Sequence, residues 1–228
     1  LFAREGAQVI VADRDWQAAR ECAQAITGEG GSALAVKTDV SSQSSVVALV
    51  TRAVDRFGGL DVLVNCAGIS IAGSVVDTEP ERWERVLDVN LTGAMRVCRA
   101  AVRHWGAAGG AIVLVSSGAG LRPMAERSAY CASKAGLNML AKVLAIELAP
   151  LGIRVNAVCP GAVETELFRS SLPARGEEEA RAAVRARYAL GRIAEPAEIA
   201  ACVLFLLGDG ASFVTGTALA ADGGRTFH

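Results

Sequence analysis

The chain has 228 residues, of which 52% are hydrophobic and only 5% aromatic, so its core must be built from Ala, Val, Leu and Ile, as suits strands buried on both faces beneath helices. With 23 basic and 24 acidic residues the formal net charge is -1, which leaves no electrostatic footprint for nucleic acid or an anionic membrane. No apolar run reaches the length of a membrane span, and the opening residues do not form a signal peptide.

In chain order, "LFAREG" reads as the last turns of a helix with Gly6 as its C-terminal cap. A short β-rich run follows, Val9 to Ala12, ending at Asp13. The pattern repeats in "SALAVKTDV" ending at Asp39, "LDVLVNCAG" from Val62 to Asn65, "GAIVLVSSGAG" ending at Ser116 and Ser117, "IRVNAVCPGA" ending at Pro160 and Gly161, and a last short "TALAADGG". Helical patterns lie between them over Asp15–Ile26, Ser44–Phe57, Pro80–Trp105, Ala129–Ala149 and Pro196–Leu207. This alternation predicts an α/β fold: one domain over 1–228, Rossmann-like, a doubly wound parallel sheet with helices on both faces. Ligands in such a sheet bind beyond the carboxyl ends of the strands, where Asp13, Asp39, Asn65, Ser117 and Thr165 all fall.

A dinucleotide-binding sheet of this kind starts with a strand and a Gly-rich turn for the pyrophosphate, and neither precedes "LFAREG". In the usual strand order that first strand is central, between the strand ending at Asp13 and the one ending at Asn65. Two inner strand edges are therefore expected without partners, with the natural product beginning upstream by about 25 residues of a βαβ unit of about 30. The six cysteines (22, 66, 98, 131, 159 and 202) contain no Cys-x-x-Cys pair and have no His beside them. His104, expected at a helix end, and the terminal His228 are too few for a metal cluster. Neither a metal site nor a disulfide framework is expected, and a reducing cytoplasm is the expected compartment.

The segment "SAYCASKAG" puts Tyr130 and Lys134 four residues apart, one turn apart on one helix face. An alcohol oxidised by hydride transfer must also lose its hydroxyl proton, and free tyrosine titrates near ~10. A cation within a few ångströms favours the phenolate, and Lys134 is placed to supply it. Ser117 can hold the substrate oxygen beside the phenol. The small residues around Tyr130 leave room for a flat ring and for close helix packing.

Asn90, Ser117, Tyr130 and Lys134 together resemble the Asn-Ser-Tyr-Lys tetrad of the short-chain dehydrogenase/reductase family, with the typical spacings of thirteen from Ser117 to Tyr130 and twenty-seven from Asn90 to Ser117. "NCAG" is similar to the family's Asn-Asn-Ala-Gly motif, with Cys66 in place of the second Asn. "PGAVET", "GRIAEPAEIA" and "VTGTALAADGG" look like further family segments, in the family's order. The missing Gly-rich turn is the one real departure, and it bears on cofactor affinity.

The resemblance implies that Tyr130 is the acid/base, that Ser117 positions the substrate oxygen, that Lys134 lowers the phenol's pKa and bonds the nicotinamide ribose, and that Asn90 holds a proton-relaying water. It also implies a cofactor site of Asp13, Asp39, Val40, Asn65, Ala67, Gly68, Tyr130, Lys134, Pro160, Gly161, Val163 and Thr165. Asp39 and Val40 would flank the adenine, and 160–165 the nicotinamide carboxamide. Asp13 follows a strand where a carboxylate accepts from ribose hydroxyls and repels a 2′-phosphate, so NAD is expected over NADP, although Arg14 beside it could partly offset that charge.

Residues 164–193 read as a substrate lid, with Leu167 and Phe168 as apolar contacts. Arg181 and Arg185, spaced four apart with Glu177, suit a solvated helix face, or less simply an anionic substrate. Leu151 before Gly152 stands where acyl-carrier-protein reductases of the family usually carry a basic residue. The expectation is therefore oxidation of a secondary alcohol, or the reverse on a ketone, in a homotetramer or dimer. The alternatives are an NAD-binding sensor without chemistry, an inactive fragment, and an NADP-dependent 3-oxoacyl reductase.

Overall fold

The computed structural model describes residues 1–105, 109–173 and 175–227; His228 and one position of the expected lid segment lie outside them. After a 3-10 turn, Phe2–Glu5, capped by Gly6 in the left-handed region at φ 88°, come β1 (Gln8–Asp13), α1 (Trp16–Gly28), β2 (Ser32–Lys37), α2 (Gln43–Phe57) and β3 (Val62–Asn65). They are followed by α3 (Pro80–Leu87), a π-turn (Asp88–Thr92), α4 (Gly93–Val102), β4 (Gly110–Val115) and α5 (Ser128–Leu148). The chain then forms β5 (Ile153–Pro160), α6 (Glu166–Arg169), α7 (Glu177–Arg185), α8 (Pro196–Leu207) and β6 (Ala218–Ala221). His104 sits one turn past α4, its N–H on the Ala101 carbonyl at 2.9 Å.

All strand pairs are parallel, in two hydrogen-bonded groups, β1-β2 and β3-β4-β5-β6. One edge of β1 and one of β3 have no strand partner among the described residues.

Side-chain alternation along the central strands sorts the core into layers. Ile112 and Leu114 of β4, with Val155 and Ala157 of β5, pack on Leu137, Ala141 and Ala145 of α5 and on Ala94 and Cys98 of α4. The intervening Val113 and Val158 face Val203 and Leu206 of α8 on the other side. Near-continuous Val, Ile and Ala in these strands follow from burial on both faces.

Several boundaries depart from the sequence reading, two of them near the site. The helix expected over 80–105 runs from Pro80 to Val102 but widens at Asp88–Thr92 into a π-helical stretch, after which Gly93 brings its backbone against Val40: a Cβ there would lie 2.8 Å from Val40 Cγ2. β2 ends at Lys37, not at Asp39, because the Thr38 N–H completes the pairing on the Asp13 carbonyl at 2.8 Å and Asp39 then turns into α2.

Candidate active site

The centre lies where β4 runs out onto α5. Ser116, buried, donates to the Lys134 carbonyl at 2.9 Å. Ser117 accepts from the Ala119 N–H at 3.1 Å, which caps the 3-10 turn Gly118–Gly120 and leaves its own hydroxyl proton free to donate. That hydroxyl acts on the Tyr130 phenol, drawing its pKa downward. Gly120 presses this turn onto the helix: a Cβ there would stand 2.7 Å from the Lys134 carbonyl carbon, so a side chain would push the serine and tyrosine apart. The approach to α5 passes through Glu126 at φ 58°, a strained conformation costing about 1–3 kcal/mol. The Glu126 carbonyl is held there by the Gly73 N–H of the β3 exit loop at 3.0 Å.

Tyr130 and Lys134 share the helix face as their spacing requires. Lys134 is 4% exposed; its Nζ donates to the Val115 carbonyl at 2.9 Å and lies 5.7 Å from the Tyr130 ring centroid. Burial pushes the ammonium down to about 8 from its ordinary 10.5. Burial also raises the Tyr130 phenol above its ordinary value, against opposing pulls from Ser117 and Arg127. The expectation that Lys134 lowers the phenol is therefore not met in the chain by itself. Its ammonium lies over the ring and on the Val115 carbonyl, and desolvation outweighs the pulls that oppose it.

Asn90 sits in the π-turn, fully buried. Its Oδ1 accepts from the Ile69 N–H at 2.8 Å, and its Nδ2 donates to the Ile69 carbonyl at 2.9 Å and to Ser133 Oγ at 3.0 Å. Ser133 in turn donates to the Tyr130 carbonyl at 2.7 Å. The Asn90 side chain thus clamps the β3 exit loop to the tyrosine helix. Both amide hydrogens and one of the two Oδ1 acceptor positions thus go to protein. Gly68 completes this wall: a Cβ there would lie 3.3 Å from Lys134 Nζ and 3.5 Å from Asn90 Oδ1.

The residues expected around a dinucleotide fall along the same strand-end edge. Asn65 is buried at the end of β3, and its Nδ2 has no partner. Ala67 and Gly68 follow it. Asp13 Oδ1 accepts from the Asp15 N–H at 2.8 Å; Oδ2 has no protein donor among the described residues. Asp39 accepts from the Ser41 hydroxyl at 2.6 Å and the Ser41 N–H at 2.9 Å, which together hold its carboxyl below the usual range. The N-cap of α2 is Ser42. Val40 packs on Gly93. At the β5 exit, the Gly161 N–H donates to the Ala221 carbonyl at 3.2 Å beyond Pro160, Val163 bridges to Ala194, and Thr165 caps α6 through the Phe168 N–H at 3.3 Å.

The sequence reading missed Ser116, Ser133, the Val115 carbonyl and Tyr188, whose hydroxyl accepts from the Ala162 N–H at 2.8 Å. Only the doubled serine of "VSSG" could have signalled one of them. Arg181 and Arg185, expected on a solvated helix face or less simply at an anionic substrate, are engaged within the lid segment. Arg181 is bonded to Glu164 and to Glu177, the latter at 2.8 Å, and Arg185 to Glu178. Carboxylates of the lid segment occupy both guanidinium groups.

Such an arrangement, with a phenol, a hydroxyl and an ammonium at the carboxyl edge of a parallel sheet, can exchange a proton with a carbinol or carbonyl oxygen. A family model described as Enoyl-(Acyl carrier protein) reductase matches residues 1–226. 3beta-hydroxysteroid dehydrogenase 1 of Eggerthella lenta is 42% identical over 230 residues, covering 100% of this chain and 87% of that protein. Cis-4-hydroxycyclohexanecarboxylate dehydrogenase of Sinomonas cyclohexanicum is 44% identical over 228 residues, covering 99% of this chain and 89% of the relative. A crystal structure of an actinorhodin polyketide ketoreductase variant with NADPH superposes with a TM-score of 0.95 at 36% identity, covering 100% of this chain and 90% of that one.

Proposed function

The chain belongs to the short-chain dehydrogenase/reductase family and is an oxidoreductase acting on CH–OH groups, and from that premise we propose that it uses NAD(H), with Tyr130 as acid/base, on a secondary alcohol or its ketone. The convergence of Ser117 and Tyr130 beside a buried Lys134, whose Nζ lies 5.7 Å from the phenol ring centroid, carries this reading.

The residues present suit a nicotinamide dinucleotide at two places: the side-chain-free wall of Gly68 against Lys134, and the unpartnered buried amide of Asn65. When bound, the dinucleotide accepts or returns the hydride. Tyr130 takes the carbinol proton, and Ser117 donates to the substrate oxygen and keeps it within reach of the phenol. Lys134 binds the nicotinamide ribose, and its charge, once drawn off the Val115 carbonyl, favours the phenolate. Asn90 positions the tyrosine helix and belongs to the proton-relay path. Asp13 binds the adenosine ribose, Asp39 and Val40 flank the adenine, and Ala67, Pro160, Gly161, Val163 and Thr165 line the cofactor.

In this reading residues 1–228 act as one cofactor-binding domain, residues 164–193 are the substrate lid, the compartment is the cytoplasm, and the chain works as a homotetramer or dimer. Two observations favour a second reading, NADP-dependent reduction of a 3-oxoacyl group: Arg14 adjoins Asp13, and the ketoreductase neighbour was solved with NADPH. Fluorescence titration of NADH and NADPH decides between the cofactors. Saturation by NADH at about ten-fold lower concentration, with the preference lost in Asp13→Ala, supports NAD; tighter NADPH binding refutes it. Tyr130→Phe should cut turnover by about 10²–10⁴ while NADH still binds. Unchanged function in that variant would favour a sensor that performs no chemistry.

A further inference from the structure

Three arginines from separate parts of the chain, Arg122, Arg187 and Arg225, line a recess of about 330 Å³ together with Pro123. Arg122 ends the loop that follows Ser117, Arg187 follows α7, and Arg225 comes after β6. The whole chain has a net charge of -1, so this gathering of cations is local. Like charges brought together cost energy unless an anion joins them.

The carboxylates that neutralise other arginines do not serve here. Arg96, Arg181, Arg185 and Arg192 each hold an Asp or Glu. Among the described residues, neither the Arg187 nor the Arg225 guanidinium has a carboxylate within ion-pair distance. The carboxylate nearby is Asp222, which is buried and bonded to the backbone: it accepts from the Gly224 N–H at 3.0 Å and the Thr226 N–H at 2.9 Å. It thereby shapes the turn that presents Arg225. Arg122 is engaged, one Nη1 bond of 2.9 Å going to the Arg225 carbonyl, and it serves as wall and brace.

Two of the three arginines reach the turn that follows Ser117. A Cβ on Gly118, the residue directly after Ser117, would lie 4.0 Å from Arg225 Nη1 and 3.6 Å from Thr226 Cγ2. The Arg122 N–H donates to the Gly118 carbonyl at 2.9 Å. Both Arg187 and Arg225 act on the Tyr188 phenol, lowering its pKa against the rise that burial causes; the Tyr188 hydroxyl holds Ala162 at the β5 exit. The cations therefore converge on ground between the serine turn and the lid segment.

We infer that this recess is an anion subsite that holds a carboxylate on the substrate, at the end remote from the carbinol that Ser117 and Tyr130 address. Guanidinium groups suit this task, because their planar fork meets a carboxylate with two parallel bonds. The substrate class becomes a hydroxy acid, or the matching keto acid, with an apolar body between its two oxygen functions. The inference rests on the oxidoreductase reading above for which substrate is held, but its binding test does not depend on turnover.

The probes are 4-oxocyclohexanecarboxylate and its neutral carboxamide, titrated calorimetrically into the full chain with NADH present and absent, and assayed in parallel for NADH oxidation. The carboxylate should bind about ten-fold tighter than the carboxamide, and the margin should shrink as salt rises. In Arg225→Gln and Arg187→Gln the carboxylate-to-carboxamide ratio of Kd, and of kcat/KM, should fall towards one, while Arg225→Lys retains part of it. Equal binding of both probes, no binding of either, or a preference that survives both glutamine variants overturns the subsite. A charge preference in binding without turnover of either ketone would count against the oxidoreductase reading alone. Equal turnover of the two ketones would count against the subsite alone.

Discussion

Lys134 shows how one residue serves stability and chemistry with opposite signs. Its ammonium is buried, and burial depresses its pKa to about 8 from 10.5. The unfolded chain therefore binds more protons at this position between those values, and its contribution to stability rises with pH through the window about 8 to 10.5. At pH 7 the burial penalty stands in full, about 3 kcal/mol from the shift. Lys134→Met should remove it, less about 1 kcal/mol for the lost bond to the Val115 carbonyl. Urea unfolding is expected to find the variant more stable at pH 7, with the gap closing as pH climbs towards 10.5. A gap that does not change with pH would show that the ammonium carries no such penalty. NADH binding should weaken in the same variant. At this scale the Tyr130–Lys134 register was legible, because helical spacing alone sets it. The lysine's position over the ring was not, since it depends on where the Val115 carbonyl ends β4.

Among the elements, α8 depends on a residue of another strand. Arg154 of β5 donates to the Leu206, Leu207 and Gly208 carbonyls at 2.7, 3.0 and 3.2 Å, and to Val214 at 3.4 Å. The first three are the open carbonyls of a helix C-terminus, where a cation also meets the helix dipole favourably. Arg154→Ala should cost about 2–3 kcal/mol, read as a lower urea midpoint at unchanged slope, and Arg154→Lys should recover only part. An alanine variant within about 0.5 kcal/mol of the parent would mean that water replaces the arginine without loss. The start of α8 was visible in "EPAE", where Pro196 stands at the first turn and Glu195 and Glu198 form a capping box. The π-helical widening within the 80–105 helix was not visible. The apolar periodicity runs through Asn90, and only the contacts of its amide with Ile69 and Ser133 make the π-turn worthwhile.

Over the whole molecule, apolar surface remains open. Met139, Val143 and Ile146 are 58%, 42% and 79% exposed on one outer face of α5, at spacings that align them in a stripe. Phe205 and Phe213 are also exposed. Patches of this kind mark association surfaces. Sedimentation velocity should give a dimer or tetramer, and Met139→Glu with Ile146→Glu should lower the mass without loss of helix by circular dichroism. A monomeric parent would remove the stripe from the proposed assembly. The sequence by itself determined the parallel α/β architecture and the residues gathered at the strand ends, because side-chain period and the alternation of strand and helix are local properties of the chain. Only the tertiary structure decided that Asn90 is a clamp, that Arg181 and Arg185 are taken by neighbouring carboxylates, and that Arg122, Arg187 and Arg225 line one recess. Those outcomes depend on which groups far apart in the chain come within hydrogen-bond and Coulomb range, and no local periodicity encodes that.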